Sequence, residues 1–376
     1  MHTTHLKFSA LFLVAIWLVS CGGGGSSSSG GTTVRSAYVA NSGDGTISQY
    51  TIDATGALIP IFPAATIQSI AGLSGSNPTS VTVAPSGKYV YVANSLDSVI
   101  SQFTIGAGGA LVPMMPMPTA ASGLGAGSGP VSVVVDPTGK YAFAANSGSN
   151  DVTQFTIGGS GALTNSMTIP AGTNPASVTV DPTGKYAYVV NSGFTCAASC
   201  VTIAGTISQY NINATTGALT ANGAPVAAGT DPISITVGPT GAYAYVVNYT
   251  SANITPYTIA GGALTATMPV ATGPNPTSIA IDKNGTYAYV ANGNGVTQFT
   301  ITNGVLSNPI STLTGGFAPR SVTIDASGKY LYVANQADSI SQFTIGAGGA
   351  LSATPVVTSG AVNSQPYSIT TAVSLH

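Results

Sequence analysis

A tetrapeptide written YVAN, or close to it, returns seven times along this 376-residue chain, and nothing else in the sequence restricts the fold as severely. It ends at Asn41, Asn94, Asn146, Asn191, Asn248, Asn292 and Asn335, so successive copies lie 53, 52, 45, 57, 44 and 43 residues apart. Repeats of that period cannot bury a hydrophobic face singly and must stack. Each copy is followed by a second alternating segment, such as ISQYTI from Ile47 or VTQFTI from Val152, and then by a short GAL-like stretch. Period-2 alternation, β-branched and aromatic side chains and flanking turn residues make these segments strands. One unit therefore reads as an SVTV-type strand A, a KYAYVAN-type strand B, an ISQYTI-type strand C and a GAL strand D. Seven such units predict an all-β, seven-bladed β-propeller with four antiparallel strands per blade.

The two chain ends are out of phase with the repeat. The first unit enters directly at SAYVAN with no strand A, whereas QPYSITTAVSLH, Gln365 to His376, reads as a strand A with no strand B behind it. Three strands plus one make a complete blade. The C-terminal strand is thus expected to join the N-terminal blade and close the ring without a bare sheet edge.

Ahead of the repeats, residues 1–20 read as a secretory leader: Lys7, an apolar run from Phe8 to Val19, and LVSC ending at Cys21. Leu18 to Cys21 resemble a bacterial lipobox, which implies cleavage before Cys21 and its lipidation. Residues 21–34, opening GGGGSSSSGG, read as a flexible tether, and residues 35–376 as the propeller. Gly22 stands where an inner-membrane retention signal would resemble Asp, so the expected address is a lipid-anchored cell-envelope protein, at the outer membrane where there is one. The membrane, through Cys21, is the first expected partner.

Composition excludes several functions. Charged residues make up 5% of the chain and the formal net charge is −2, which leaves no footprint for nucleic acid. All ten acidic residues are Asp, and beyond the leader the one histidine is His376. Cys196 and Cys200 in FTCAASCVT are expected to form a disulfide that pins a loop. A metal would need two further ligands that the chain beyond the leader does not offer, so neither metal nor cofactor is expected. A monomer is expected.

Loop lengths distinguish the two faces of the ring. From the Ser of strand A to the Asn of strand B is 15 residues in all six continuous units, as in Ser132 to Asn146. The BC and DA connections vary, the longest BC loop carrying the two cysteines. They share a face, and variable loops on a rigid frame are where binding is expected. All five lysines beyond the leader sit in AB turns beside Asp136, Asp181, Asp282 and Asp325, and these read as solvated turn residues. On the variable face Asp44, Asp97, Asp151 and Asp338 lie in BC loops of consecutive blades. They form either an acidic binding arc or a set of turn caps. Asp231 and Arg320 lie in DA loops of the same face.

The repeated YVAN and ISQYTI, with PTGKYAYV, resemble the YVTN-type β-propeller repeats that also underlie the seven-bladed, 6-phosphogluconolactonase-like lactonase family. The resemblance spans the whole repeat domain. Its open-face pattern, Pro-Arg-His before one strand A and Asn-Glu after the next strand B, is met in part by GGFAPRSVTIDASGKYLYVANQ. Pro319 and Arg320 match, Ser321 replaces the His and Gln336 the Glu. An arginine can hold an anion or polarise a carbonyl, but it cannot serve as the base that lactone opening needs. The sequence therefore favours a non-catalytic envelope propeller that presents its BC and DA loops to a protein or carbohydrate ligand, or serves as a surface scaffold. Asp44, Asp97, Asp151, Asp338 and Gln336 are its candidate binding residues. The alternative is a lactone hydrolase pairing Arg320 with an Asp. For Arg320 itself, an anion-holding role and a loop-knitting salt bridge are both open, the salt bridge being favoured.

Replacing Cys21 with Ser is expected to shift the protein out of the detergent-soluble membrane fraction. Unchanged partitioning of that variant would remove the lipid anchor from the account.

Overall fold

A computed structural model describes residues 33–62, 65–70, 77–114, 127–196, 200–202, 204–312, 318–358 and 363–375. The leader and Cys21 lie outside them. No helix among the described residues is long and apolar enough to cross a membrane. The first strand begins at Thr33, so it takes in the last two residues assigned to the tether.

Residues 33–375 form seven antiparallel four-stranded blades, each ordered A-B-C-D from the axis outward. In blade 2 these strands are Pro78–Val83, Tyr89–Asn94, Val99–Ile105 and Leu111–Pro113. Blade 1 is built from both ends of the chain. Its strand A, Pro366–Leu375, pairs antiparallel with its strand B, Thr33–Asn41, from Thr33 opposite Leu375 to Asn41 opposite Pro366. The expected closure is thus present as a full strand pair.

There is no single core. Seven hydrophobic clusters each lie between two neighbouring blades; Tyr38, Ala40 and Ile47 of blade 1, for instance, pack against Val90, Val92 and Phe103 of blade 2. The seam between blades 7 and 1 has its own, with Tyr332, Ala334 and Ile340 against Ala37, Val39 and Tyr50. A blade on its own would expose two such faces to water, which is why the repeat is stable only as a ring.

The repeat motifs are the polar half of these interfaces. The strand-B asparagines are buried, and each amide nitrogen donates to a hydroxyl of strand C: Asn94 to Ser101 at 2.9 Å, Asn191 to Ser208 at 3.0 Å, Asn248 to Thr255 at 2.9 Å. The Asn191 and Asn248 carbonyls accept from the backbone of Gly172 and Gly229 in the DA loops, at 3.0 and 3.1 Å. Glycine is required there by closeness, since a Cβ on Gly229 would stand 2.5 Å from Asn248 Cγ. Between blades, the strand-B tyrosine donates to a glycine carbonyl of the next blade's CD turn, as Tyr38 does to Gly109 at 2.7 Å and Tyr332, across the seam, to Gly56 at 2.8 Å. The strand-C glutamine accepts from the following leucine, as Gln49 does from Leu111 at 2.6 Å and Gln342 from Leu58 at 3.1 Å. Each such bond is worth about 1 kcal/mol net, but it also fixes the rotation of one blade on the next.

One expectation is corrected. The AB-turn lysines are exposed, but Asp136, Asp181, Asp282 and Asp325 are buried rather than solvated. Asp181 shows the reason: one carboxylate oxygen accepts the Lys185 and Tyr186 amides at 2.8 and 2.7 Å, and the other accepts the Thr183 amide at 3.0 Å. The carboxylate satisfies donors that the tight turn would leave unpaired. Arg35, at the start of strand B of blade 1, joins the seam. Its guanidinium pairs with the buried Asp325 of blade 7 at 3.3 Å, pinning the seam from the AB side.

Deleting residues 365–376 is expected to lower the melting temperature of the whole domain or to precipitate it; a melting curve like that of the intact chain would refute closure as the source of stability. Gly229→Ala should destabilise by about 1–3 kcal/mol, the usual range for overpacking, read as a lower midpoint in urea.

Candidate functional site

Every strand A enters the ring through a corner built the same way. A residue with left-handed backbone precedes a proline: Asn77, Gly129, Asn174, Asp231, Asn275, Ala318 and Gln365, with φ between 46° and 63°. Its carbonyl typically accepts the amide just past the strand-B asparagine, as Asp231 does from Tyr249 at 2.9 Å and Ala318 from Gln336 at 3.0 Å. After the proline, the pairing with strand B skips one residue, so Pro319 lies opposite Asn335 and Ser321 opposite Ala334. The skipped residue is a β-bulge, which re-aims its side chain. Here the bulged residue is Arg320.

The bulges and the serines behind them line one axial cavity of about 470 Å³ that opens on the BC and DA face. The serine layer is complete: Ser80, Ser132, Ser177, Ser234, Ser278, Ser321 and Ser368 all reach the cavity. Five of their hydroxyls accept an amide from the next strand A, among them Ser321 from Ile369 at 3.3 Å and Ser368 from Val81 at 3.2 Å. A hydroxyl used as an acceptor keeps its own proton to donate, so the cavity floor is a ring of O–H donors. The bulged layer above it varies: Thr79, Val131, Ala176, Ile233, Thr277, Arg320 and Tyr367. Asn174, Asp231, Phe194 and Tyr249 complete the rim.

Arg320 carries the charge of this site. Its Nε and Nη2 donate to Gln336 Oε1 at 3.0 and 2.7 Å, and its guanidinium carbon lies 5.7 Å from the Tyr367 ring centroid. Among the described residues the one ion pair is Arg35 with Asp325, so the favoured salt bridge at Arg320 is not formed. A neutral amide holds the guanidinium, and no carboxylate pairs with it among the described residues. Gln336 was a candidate binding residue; its role here is to aim Arg320.

None of the four arc aspartates lines the cavity. Asp44 accepts the Thr46 amide and hydroxyl at 3.0 and 2.7 Å, which is a turn cap. Asp151 accepts from Asn146 at 2.6 Å, and Asp97 stands half-buried in its loop. Asp338 is tied to the segment before the last strand. Burial alone would raise its carboxyl, but amides of Gln365 and Asn363, at 2.9 and 2.7 Å, outweigh that and hold it below the ordinary carboxylate range. Asp231, not among the candidate binding residues, is the carboxylate that does line the cavity. Burial pushes its carboxyl up, against a weaker opposing bond from the Thr250 hydroxyl at 3.4 Å.

Tyr367 was legible only by analogy, since it holds the position in strand A that Arg320 holds one blade earlier. The backbone of residues 194–196 and 200–202 forms a hairpin with Cys196 directly opposite Cys200. Their side chains, and with them the expected disulfide, lie outside the described set. No cluster among the described residues could hold a metal.

A model of the family described as lactonase, 7-bladed β-propeller, matches residues 28–166, 158–278 and 263–362. Among solved structures, a candidate 6-phosphogluconolactonase from Bacteroides fragilis superposes with a TM-score of 0.72 at 23% identity, covering 90% of this chain and 98% of its own. The periplasmic gluconolactonase of Pseudomonas aeruginosa gives 0.69 at 17%, covering 91% and 99%, and the hydrazine synthase of Kuenenia stuttgartiensis 0.57 at 17%, covering 81% and 91%. At such identities the structural likeness speaks for the fold alone. No curated protein sequence matches the chain. With its seven closed blades and a family match running from residue 28 to residue 362, the chain belongs to the lactonase family of seven-bladed β-propellers.

Proposed function

We infer that this protein is a lipid-anchored envelope propeller that captures a small anionic carbohydrate, of the sugar-acid type that a lactone opens to, in its axial cavity. The observation that carries this reading is Arg320: a guanidinium inside a cavity floored by hydroxyls, held by a neutral partner, with no carboxylate paired to it among the described residues. Such a group binds carboxylate or phosphate by charge-assisted hydrogen bonds. The serine ring supplies donors for sugar oxygens, and Phe194, Tyr249 and Tyr367 supply apolar faces at the rim. Anchoring at Cys21 would hold that mouth at the envelope, and a Cys196–Cys200 disulfide would brace the hairpin beside Phe194.

Lactone hydrolysis is the second reading, favoured by the family and by Asp231. A carboxyl raised by burial in the same cavity as an arginine is a candidate proton shuttle. The face lacks the histidine and glutamate of the family pattern at Ser321 and Gln336, so binding without turnover ranks first.

Calorimetry with gluconate and 6-phosphogluconate, run beside a hydrolysis assay on their lactones, separates the two. Binding without turnover, weakened about tenfold or more in Arg320→Ala, is the expected result. Turnover lost in both Arg320→Ala and Asp231→Asn would establish the hydrolase instead. Because the Asp231 carboxyl is raised, acidification neutralises it before ordinary carboxylates and removes a negative charge from the cavity. Anion affinity should therefore rise as pH falls, and Asp231→Asn should flatten that dependence.

A further inference from the structure

The blade-to-blade stapling has one break, on the face opposite the axial mouth. Tyr38, Tyr91, Tyr188, Tyr289 and Tyr332 each donate to a glycine carbonyl of the next blade at 2.7 to 3.0 Å. Blade 3 has Phe143 at this position and needs no acceptor. Tyr245 of blade 5 is the exception. It is 1% exposed, and among the described residues its hydroxyl has no hydrogen-bond partner. The hydroxyl oxygen itself is not sealed off: it opens on the neighbouring cleft, where its proton is free for a ligand to accept.

Two further departures fall in the same blade. Strand C carries Pro256 where the other blades place the stapling glutamine. The AB turn begins at Gly238, where four other blades bury an aspartate. In three of those blades, 4, 6 and 7, burial first and the nearby carboxylate second raise the tyrosine hydroxyl, as for Tyr188 beside Asp181. Blade 2 also lacks the aspartate, with Ala84, but its Tyr91 remains stapled to Gly161. Only in blade 5 do the absent carboxylate and the unstapled tyrosine coincide.

The result is a cleft of about 200 Å³ between blades 5 and 6, lined by Pro239, Tyr243, Tyr245, Ile281, Ile301 and Gly304 among others. None of the lining residues is charged, which excludes an ionic ligand on desolvation grounds. An apolar cavity of about 150 Å³ accommodates benzene, so the space suits one small ring. We propose that this cleft is a binding site for a small neutral monocyclic molecule with one hydrogen-bond acceptor, such as an aromatic ketone or aldehyde, whose acceptor takes the Tyr245 hydroxyl proton. The site is independent of the axial cavity and its ligand.

Saturation-transfer NMR and calorimetry on the full chain with acetophenone test this, with toluene as the same ring lacking an acceptor. Acetophenone should bind one to one, and toluene about fivefold more weakly, the value of one neutral hydrogen bond. Tyr245→Phe should lower acetophenone affinity to the toluene level. Gly238→Asp should abolish binding of both: a Cβ at 238 stands 3.6 Å from its nearest neighbour and fits, while the carboxylate fills the cleft and restores the turn cap, raising the melting temperature. Tyr91→Phe, which removes a stapled hydroxyl, should lower stability and leave binding unchanged. No saturation transfer at millimolar acetophenone, or wild-type affinity in either Tyr245→Phe or Gly238→Asp, would overturn the proposal.

Discussion

The strand pair between Pro366–Leu375 and Thr33–Asn41 is the interaction on which everything else in this protein rests. A ring of blades has no interior support: each sheet is held by its two neighbours, and an unclosed ring leaves two hydrophobic faces and two strand edges in water. Pairing the two ends of the chain within one blade converts closure into main-chain hydrogen bonds. The seam is then reinforced by the same devices used elsewhere, with Tyr332 on Gly56 and Gln342 on Leu58. It also gains one device of its own, the Arg35–Asp325 pair. The axial cavity exists only because the seven strands A are held at a fixed distance from one another.

Within the ring, the repeat motif is a description of its interfaces. The asparagine of YVAN ties strand B to strand C, while the tyrosine three residues earlier and the glutamine of ISQYTI both reach the glycine-leucine turn of the next blade. A residue type therefore recurs because its partner lies one repeat away. Blade 5 departs at three such positions together: Pro256 stands in place of the stapling glutamine, Gly238 in place of the turn aspartate, and the Tyr245 hydroxyl is unpaired within the described residues.

The axial site follows from a backbone feature rather than from a motif. The left-handed corner before each proline and the bulge after it turn two adjacent residues of strand A toward the axis, where simple alternation would send one of them away. One of the two is always serine, and in five blades it bonds the neighbouring strand, so it contributes frame and hydroxyl donors together. The other is free to vary, and the chemistry of the cavity is written in that single position per blade. Arg320 and Tyr367 occupy it in adjacent blades, which is why the guanidinium lies over the ring.

The fold was almost wholly determined by the sequence, because a period-2 pattern repeated seven times, with its ends one strand out of phase, admits one closed arrangement. The preferred face was also legible, since loop length varies where no neighbouring blade constrains it. Arg320 was found by its motif. The partners of the charged groups were decided by tertiary structure alone. Whether an aspartate caps its own turn, as Asp44 and Asp181 do, or faces the axis, as Asp231 does, depends on where the folded loop places it, and a neighbouring Pro does not tell them apart, since Asp181 and Asp231 both precede one. Likewise the pairing of Arg320 with a neutral glutamine instead of a carboxylate was set by a bulge whose position only the folded strand reveals, because register, not composition, aims a side chain.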